Sequence, residues 1–386
     1  MKFQRFAKVG YTSGADFGSD RHEETTIVAE RKNKFMGIAE MLIERLDRGD
    51  YALRKLPSEM ELAEETGVSR MTARRALKHL IDAGVFRRDP NRRLEVSADG
   101  RGRVHQIAFL MPPVISEDVQ AWQWAAEQAV ATIKGVLRPI VYTDWNDVLL
   151  SGALKGFDGV FLMQTGVDVP ESAIAVLRNS PNPGVALDLD LSAQNIPSIW
   201  LFPEKAVWRL LDHLRKLGHR RIACFHTCDM NRVFRQRIDS WRKWKELHGL
   251  EGGLFNLPGR AASIDYGAIQ AEKECDRLLA AGTLGDTAIL CTNVWTALGV
   301  NRAIRKHGLT VGRDISTCAI NDEMLAPWMN PSLTALRMPD PSAMLRTCVQ
   351  WMAAGGRDWQ GPKLLVPRQV PLFEGESTGP PPAVAL

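Results

Sequence analysis

The sequence predicts an α/β protein made of two unlike parts, a small N-terminal winged helix-turn-helix and a larger two-lobed domain with parallel sheets. Three observations predict this division. Between residues 31 and 98 the apolar residues recur at helical spacing. Beyond residue 103 short apolar strands alternate with helical segments. The length of 386 residues also exceeds the ~100 to 200 residues of one ordinary domain.

Composition is that of an ordinary globular chain, with 45% hydrophobic and 24% charged residues, which argues against a disordered or fibrous class. No stretch approaches the ~18 uninterrupted apolar residues of a membrane span, and residues 1–30 lack the apolar core of a signal peptide. Six cysteines occur without CxxC pairs, as is typical of reduced thiols. We therefore expect a cytoplasmic protein with no membrane partner.

The order of elements near the N-terminus predicts a winged helix-turn-helix. A first helix with one apolar face follows residue 31. Ser58 and Glu61 have the spacing of a capping box, which marks the start of a short second helix. Ser69 follows a tight turn and can cap a third helix over 70–83, and 85–96 is expected to form a hairpin whose second strand begins at Arg92.

The third helix and the hairpin carry a local excess of positive charge. Residues 70–93 contain eight basic and two acidic side chains, a footprint suited to a phosphate backbone, although most charge runs are simply solvated. In a helix-turn-helix the start of the second helix of the motif reaches base edges in the major groove. The candidate DNA contacts are Ser58, Ser69, Arg70, Met71, Thr72, Arg74, Arg75, Arg92 and Arg93.

These candidates are expected to play different parts. Arg70 and Arg74 share one helix face, and either can bond a guanine in bidentate fashion, while Thr72 can reach a base or a phosphate. Arg75 and the hairpin arginines are expected to neutralise phosphates.

The segment LPSEMELAEETGVSRMTARRALKHLIDAGVF resembles the winged helix-turn-helix of the GntR family of transcription regulators. The resemblance implies double-stranded operator DNA as a partner, read through Arg70, Thr72 and Arg74. Two features depart from the family pattern. Met60 stands where arginine is frequent, and DPNRR replaces a glycine-rich wing tip.

The larger part alternates strands and helices, which predicts parallel sheets covered on both faces. About 270 residues suit two such lobes better than one. The expected strands are 106–111, 140–142, 159–163, 184–189, 198–202, 221–226, 254–257, 288–292, 317–320 and 333–336. The resulting boundaries are an extension at 1–30 that is mobile or loosely docked, the winged domain at 31–98, a linker at 99–103, the two-lobed domain at 104–378 and a tail at 379–386.

Polar residues at the carboxyl ends of the predicted strands suggest a ligand site, because parallel α/β lobes bind ligands there. Carboxylates and amides suit a polyhydroxylated ligand, an arginine can clamp hydroxyls, and tryptophan can stack on a sugar ring. For each residue there is a plainer alternative, since Asp after a strand often caps a helix and Trp more often packs in a core. The candidate effector contacts are Asp188, Arg237, Asn293, Trp295, Asn321, Asp322 and Trp122.

Chemistry of other kinds has little support in the sequence. Cys224, His226 and Cys228 alternate on one face of a predicted strand, but no second ligand cluster accompanies them, so a buried strand is the preferred interpretation. The motifs G-x-S-x-G and HExxH and the P-loop are absent from the sequence. We expect no catalytic residues, no metal and no cofactor.

Segments such as FDGVFLM, LDHLRKLGHRRIA and ILCTNVWTALGVNRAIRKHGLTVGRDIS resemble the effector domain of the LacI/GalR regulators, which is similar to periplasmic sugar-binding proteins. The resemblance covers about residues 104–378. It implies effector contacts at Asp188, Arg237, Asn293 and Asn321, the last being usually Asp in that family. The apolar Met111–Pro113 departs from the small polar residues common after the first strand, and DGRGR replaces a hinge helix.

Together the two resemblances imply a homodimeric, ligand-responsive transcription regulator similar to arabinose-repressor-type regulators. A sugar-like effector is expected to close the lobes, change the dimer interface and alter the spacing of the recognition helices, relieving repression by default. Two alternatives stay open, a GntR-like head on a catalytic domain and a ligand-binding protein that has lost operator binding.

Overall fold

The computed structural model describes residues 34–52, 54–97, 104–114, 116–164, 166–259 and 266–383. The chain divides into two compact units, Met1–Arg103 and Val104–Leu386. The predicted extension at 1–30 and linker at 99–103 lie outside the described residues.

The N-terminal unit has the predicted order of elements. They are α1 over 34–47, α2 Glu59–Thr66, α3 Arg70–Asp82, β1 Phe86–Arg88 and β2 Leu94–Val96. The capping box of α2 is present, because the Glu61 amide donates to the Ser58 hydroxyl at 3.3 Å and the Ser58 amide donates to the Glu61 carboxylate at 2.7 Å. Leu42, Leu62 and Leu77 are buried between the three helices.

The hairpin is shorter than predicted. Its second strand begins at Leu94 and not at Arg92, so Arg92 and Arg93 belong to the turn. Arg92 has a φ of 61°, a left-handed conformation that does not continue a strand, and the Arg93 amide donates to the Asp89 carboxylate at 2.6 Å. The two arginines therefore lie at the tip of the wing.

The larger unit contains two sheets, with strands of two to seven residues, and covering helices. The strands are β3 His105–Met111, β4 Gly135–Val141, β5 Gly159–Met163, β6 Gly184–Leu187, β7 Ser198–Ile199, β8 Ile222–His226, β9 Leu254–Asn256, β10 Ala288–Cys291, β11 Ser316–Ile320, β12 Thr334–Leu336, β13 Leu364–Leu365 and β14 Leu372–Phe373. The helices are α4 Glu117–Ala131, α5 Val148–Gly156, α6 Glu171–Arg178, α7 Glu204–Leu217, α8 Arg232–His248, α9 Tyr266–Ala280, α10 Val294–Lys306 and α11 Ser342–Ala353.

Each sheet has six strands and forms the centre of one lobe. Lobe 1 has the order β13-β7-β6-β5-β3-β4, and lobe 2 has the order β14-β12-β11-β10-β8-β9. All neighbours are parallel except β14, which pairs antiparallel with β12. The chain crosses between the lobes after β7, after β12 and between β13 and β14. The predicted two-lobed architecture is confirmed.

The central strands are buried along their whole length, as expected of parallel strands covered on both faces. Strand β8, which contains Cys224 and His226, is one of them, so the buried-strand interpretation of that segment is confirmed. Within the described residues no helix combines the length and apolar character needed to cross a membrane.

Candidate DNA-binding surface and ligand-binding cleft

Helix α3 separates its side chains into a buried and an exposed face. Its Ala73, Ala76, Leu77 and Leu80 pack inward, which leaves the basic face in solvent. The predicted contact residues Arg70, Met71, Arg74 and Arg75 are all exposed, and Thr72 is half-buried. The helix therefore offers basic side chains on its first turns without loss of core packing.

Two of the candidate hydroxyls already have structural partners. Ser69 accepts the Thr72 amide at 3.2 Å, and the two hydroxyls lie 2.9 Å apart. Ser58 caps α2. These serines fix where the two helices begin, and any DNA contact they make would be added to that role.

Glu59 is an acidic member of the basic surface that the sequence analysis did not single out. Its carboxylate lies 3.8 Å from Arg70 and 3.4 Å from Arg88, so it connects α2 to both α3 and the wing. Within the wing Arg88 also donates to the carbonyl of Arg92 at 3.0 Å. Glu59 thereby orients two arginines that would face DNA.

Arg237 lies at the centre of the cleft in the larger unit. It projects from α8, is 5% exposed, and donates through one Nη to the carbonyls of Thr292 and Ile320 at 2.7 and 3.5 Å. Its Nε has no hydrogen-bond partner among the described residues. The rings of Phe202 and Phe234 lie 5.6 and 5.2 Å from the guanidinium carbon. Burial lowers the pKa of Arg237, while the charges of Asp188 and Asp118 oppose that change.

Asp188 faces Arg237 from lobe 1. It follows β6 with a φ of 51°, and its amide donates to the carbonyl of Ile199 at 2.8 Å. Its Oδ1 is buried and unpartnered within the described part of the chain. Burial raises the pKa of Asp188, and the charge of Arg237 limits that rise. The predicted Asp188 and Arg237 are thus brought together.

Asn293 lies in the same region but is engaged by the protein. Its Oδ1 caps α10 by accepting the Thr296 amide at 2.9 Å, and its Nδ2 donates to the Cys228 sulfur at 3.0 Å. Next to it, the buried His226 bonds the Thr292 hydroxyl at 2.9 Å through Nδ1, and its Nε2 has no partner in the described regions. Burial lowers the pKa of His226 to about 4, so the ring is neutral at pH 7.

Asn321 and Asp322 follow β11 and differ in what they face. Asn321 has a φ of 74° and a side-chain hydrogen bond to Asp118 of lobe 1. Asp322 is fully buried, pairs with Arg337 at 3.3 Å and accepts the Met324 amide at 3.2 Å. Arg337 thus gives Asp322 a charged partner, although its Oδ2 makes no hydrogen bond within the described residues, and an effector contact at Asp322 stays a prediction.

The two predicted tryptophans, Trp122 and Trp295, differ in their surroundings. Trp122 is 2% exposed in the core of lobe 1, so its ring cannot stack on a ligand. The prediction of Trp122 as an effector contact is therefore corrected. Trp295 is half-buried and donates to the carboxylate of Glu323. Its indole therefore helps to position an acidic side chain of the cleft.

Sequence reasoning missed two carboxylates of the cleft. Asp118, in the first turn of α4, is 9% exposed with an unpartnered Oδ1. Burial, followed by the charges of Glu323 and Asp188, raises its pKa to about 7. Glu323 accepts from Trp295, from the Ser116 hydroxyl and from the Glu117 amide, and burial raises its pKa. An acidic residue in a first helical turn is ordinarily explained by the helix dipole, so only burial distinguishes Asp118.

Comparison with known families defines the class of each unit. Residues 36–96 match the bacterial regulatory proteins of the gntR family, and residues 211–378 match the periplasmic binding protein-like domain. The chain therefore carries a gntR-family winged helix-turn-helix followed by a periplasmic-binding-protein-like domain.

Individual relatives match parts of the chain. The lactose operon repressor of Escherichia coli strain K12 is 29% identical over 207 residues, which are 52% of this chain and 55% of the repressor. The arabinose metabolism transcriptional repressor of Geobacillus stearothermophilus is 25% identical over 309 residues, 74% of this chain and 80% of that protein. The chain spans little more than half the length of the lactose repressor. Among solved structures, the regulator CcpA of Lactococcus lactis superposes with a TM-score of 0.58 at 20% identity, covering 72% of this chain and 100% of that one.

Proposed function

We propose that the protein is a homodimeric transcription regulator that binds operator DNA through α3 and the wing, and that a small polyhydroxylated effector changes its affinity for that DNA. Buried polar atoms from both lobes carry the ligand part of this proposal. Asp118 and Asp188 of lobe 1 and Arg237 and His226 of lobe 2 each present an atom without a partner among the described residues. Buried polar atoms of this kind are normally hydrogen-bonded, so a bound ligand is their natural partner.

Two structures of related regulators support the same function. One lac repressor dimer was solved bound to operator and an anti-inducer, and a related LacI-type regulator from Alkaliphilus metalliredigens was solved with D-xylulofuranose. In the present chain an effector bound between the lobes would favour their closed arrangement, and two recognition helices in a dimer would then change their half-site spacing. Repression relieved by the effector is the mode we propose.

The DNA-binding part is tested by fluorescence anisotropy on sites selected in vitro from a random duplex library. Arg74→Ala is expected to cost about 1–3 kcal/mol on the selected site and to relax its sequence preference. Arg75→Ala is expected to weaken binding to all duplexes alike. It should also reduce the slope of the logarithm of affinity against the logarithm of salt concentration by about one. Arg346→Ala removes an exposed arginine of α11 and is the control. Binding without sequence preference, or unaffected by salt, would contradict operator recognition.

The effector part is tested by thermal shift over a panel of sugars, followed by DNA binding with any compound that stabilises the protein. Arg237→Ala should abolish the stabilisation because the guanidinium is the shared anchor of the cleft. Asp286→Asn alters a buried carboxylate before β10, at the opposite end of the strand from Asn293. This variant should keep the stabilisation by the compound. A compound that still stabilises Arg237→Ala would place the effector site elsewhere.

A further inference from the structure

The cleft contains more acidic than basic side chains. Burial raises the pKa of Asp118, Asp188 and Glu323, which opposes their ionisation while no cation lies beside them. Asp118, Asp188 and Glu323 lie near a single guanidinium, that of Arg237, and the carboxyl groups of Glu323 and Asp188 also act on Asp118. Asp322 is excluded from this balance because Arg337 pairs with it. Burial keeps the neighbouring His226 and Cys228 neutral by lowering the pKa of the first and raising that of the second.

Hydrogen bonds hold these carboxylates but do not neutralise them. Glu323 accepts from neutral donors, and Asp118 has a side-chain bond to Asn321 while its Oδ1 stays unpartnered in the described residues. Buried carboxylates without a counter-ion are costly, and the cost falls when a positive charge enters. Asp118 and Arg237, each more than nine-tenths buried, thus carry unpartnered polar atoms in this region of the described residues, as does the buried His226.

We propose that the effector is a cation, namely a polyhydroxylated molecule with a protonated amine, such as an amino sugar. This inference rests on the proposed effector site. The amine would lie beside Asp118, and the hydroxyls would bond Asp188 and Arg237. A sugar acid would add a further negative charge against one guanidinium. A metal ion is disfavoured because no group of three or more metal-ligating side chains with suitable geometry occurs in the described regions.

The test compares matched compounds on the full-length protein at constant ionic strength. D-glucosamine, D-galactosamine and D-mannosamine are titrated beside their neutral parent hexoses, their N-acetyl forms and the corresponding uronates, with affinity measured by calorimetry. At least one amino sugar is expected to bind at least tenfold more tightly than its parent and its N-acetyl form. Asp118→Asn is expected to weaken that amino sugar at least tenfold, and Asp286→Asn to leave it unchanged.

Each outcome bears on the inference. It is overturned if a parent, N-acetyl form or uronate binds as tightly as the amino sugar, or if Asp118→Asn leaves the affinity for the amine unchanged. If a neutral sugar binds through Arg237 and shifts DNA affinity, the proposed function as a regulator is kept, and only the proposal of a cationic effector is overturned. If no compound binds, both the cationic effector and the sugar-like effector are overturned.

Discussion

Asp118 is the residue whose ionisation should depend most directly on pH near neutrality. Its pKa is raised from an ordinary 3.8 to about 7, so the folded state holds the proton more tightly than the unfolded chain. The stabilising contribution is present at low pH and is lost as pH rises from about 4 to 7, at about 1.4 kcal/mol per pH unit and no more than ~4 kcal/mol in total.

Asp118→Asn should therefore stabilise the ligand-free protein substantially more at pH 8 than at pH 5, because most of the loss of wild-type stability falls between those two pH values, as measured by denaturant unfolding. The difference between variant and wild type isolates this effect from His226, whose lowered pKa destabilises the fold in the opposite direction, as pH falls from 6.5 to 4. Glu127→Gln, an exposed change on the same helix, is the control. A variant with the same stability difference at both pH values would show that Asp118 is not held protonated.

At the scale of single residues, the sequence predicted the location of a side chain where its place after a strand determines its surroundings. Asp188 and Asn321 were found because they follow strands, and parallel topology brings such ends together. Trp122 was placed wrongly and Asp118 was missed, because they lie one turn apart on α4 and the sequence does not reveal which turn meets the core and which meets the cleft. The ion pair of Asp322 was not predicted, because its partner, Arg337, lies beyond the next strand.

At the tip of the wing, Arg92 holds a left-handed backbone conformation although it is not a glycine. A non-glycine residue at a φ of 61° costs roughly 1 kcal/mol relative to glycine. Arg92→Gly should therefore stabilise the winged domain by about that amount, while weakening DNA binding evenly and lowering the salt slope by about one. Thermal unfolding and anisotropy over a salt series measure the two effects.

Arg93→Gly supplies the matched control, because Arg93 is not among the positive-φ residues. It removes the same charge without relieving strain, so it should weaken DNA binding similarly and should not stabilise the domain. Equal stability changes in the two variants would contradict the role of the left-handed backbone.

Elements with a strong pattern of their own were predicted well. Helices α2 and α3 and strand β5 agree with their expected bounds because caps and apolar runs mark them. Strands β13 and β14 were missed, since each has two residues and exists only through its pairing with β7 or β12. Local periodicity cannot reveal a strand that its partner defines.

At the scale of the whole two-lobed unit, several contacts join the lobes across the cleft. Glu323 of lobe 2 accepts from Ser116 and from the Glu117 amide at the start of α4 in lobe 1. Asn321 bonds Asp118 across the same gap, and Arg235 pairs with Asp168 at the rim. The exposed rim pair is worth at most about 1 kcal/mol, so the contacts of Glu323 should dominate.

Glu323→Ala is therefore expected to favour the open arrangement of the lobes. Hydrogen bonds to a charged group contribute about 1.5–3 kcal/mol each, and about 1.4 kcal/mol changes a two-state ratio tenfold, so a measurable shift towards open lobes should follow. Small-angle X-ray scattering should show a larger radius of gyration for the ligand-free variant. Trp295→Phe removes a donor from the same lobe as Glu323 and leaves the bonds between lobes, so it should stay compact. If Glu323→Ala is as compact as Trp295→Phe, the carboxylate does not hold the lobes together. Closure must then depend on the ligand and on the three segments in which the chain crosses between the lobes.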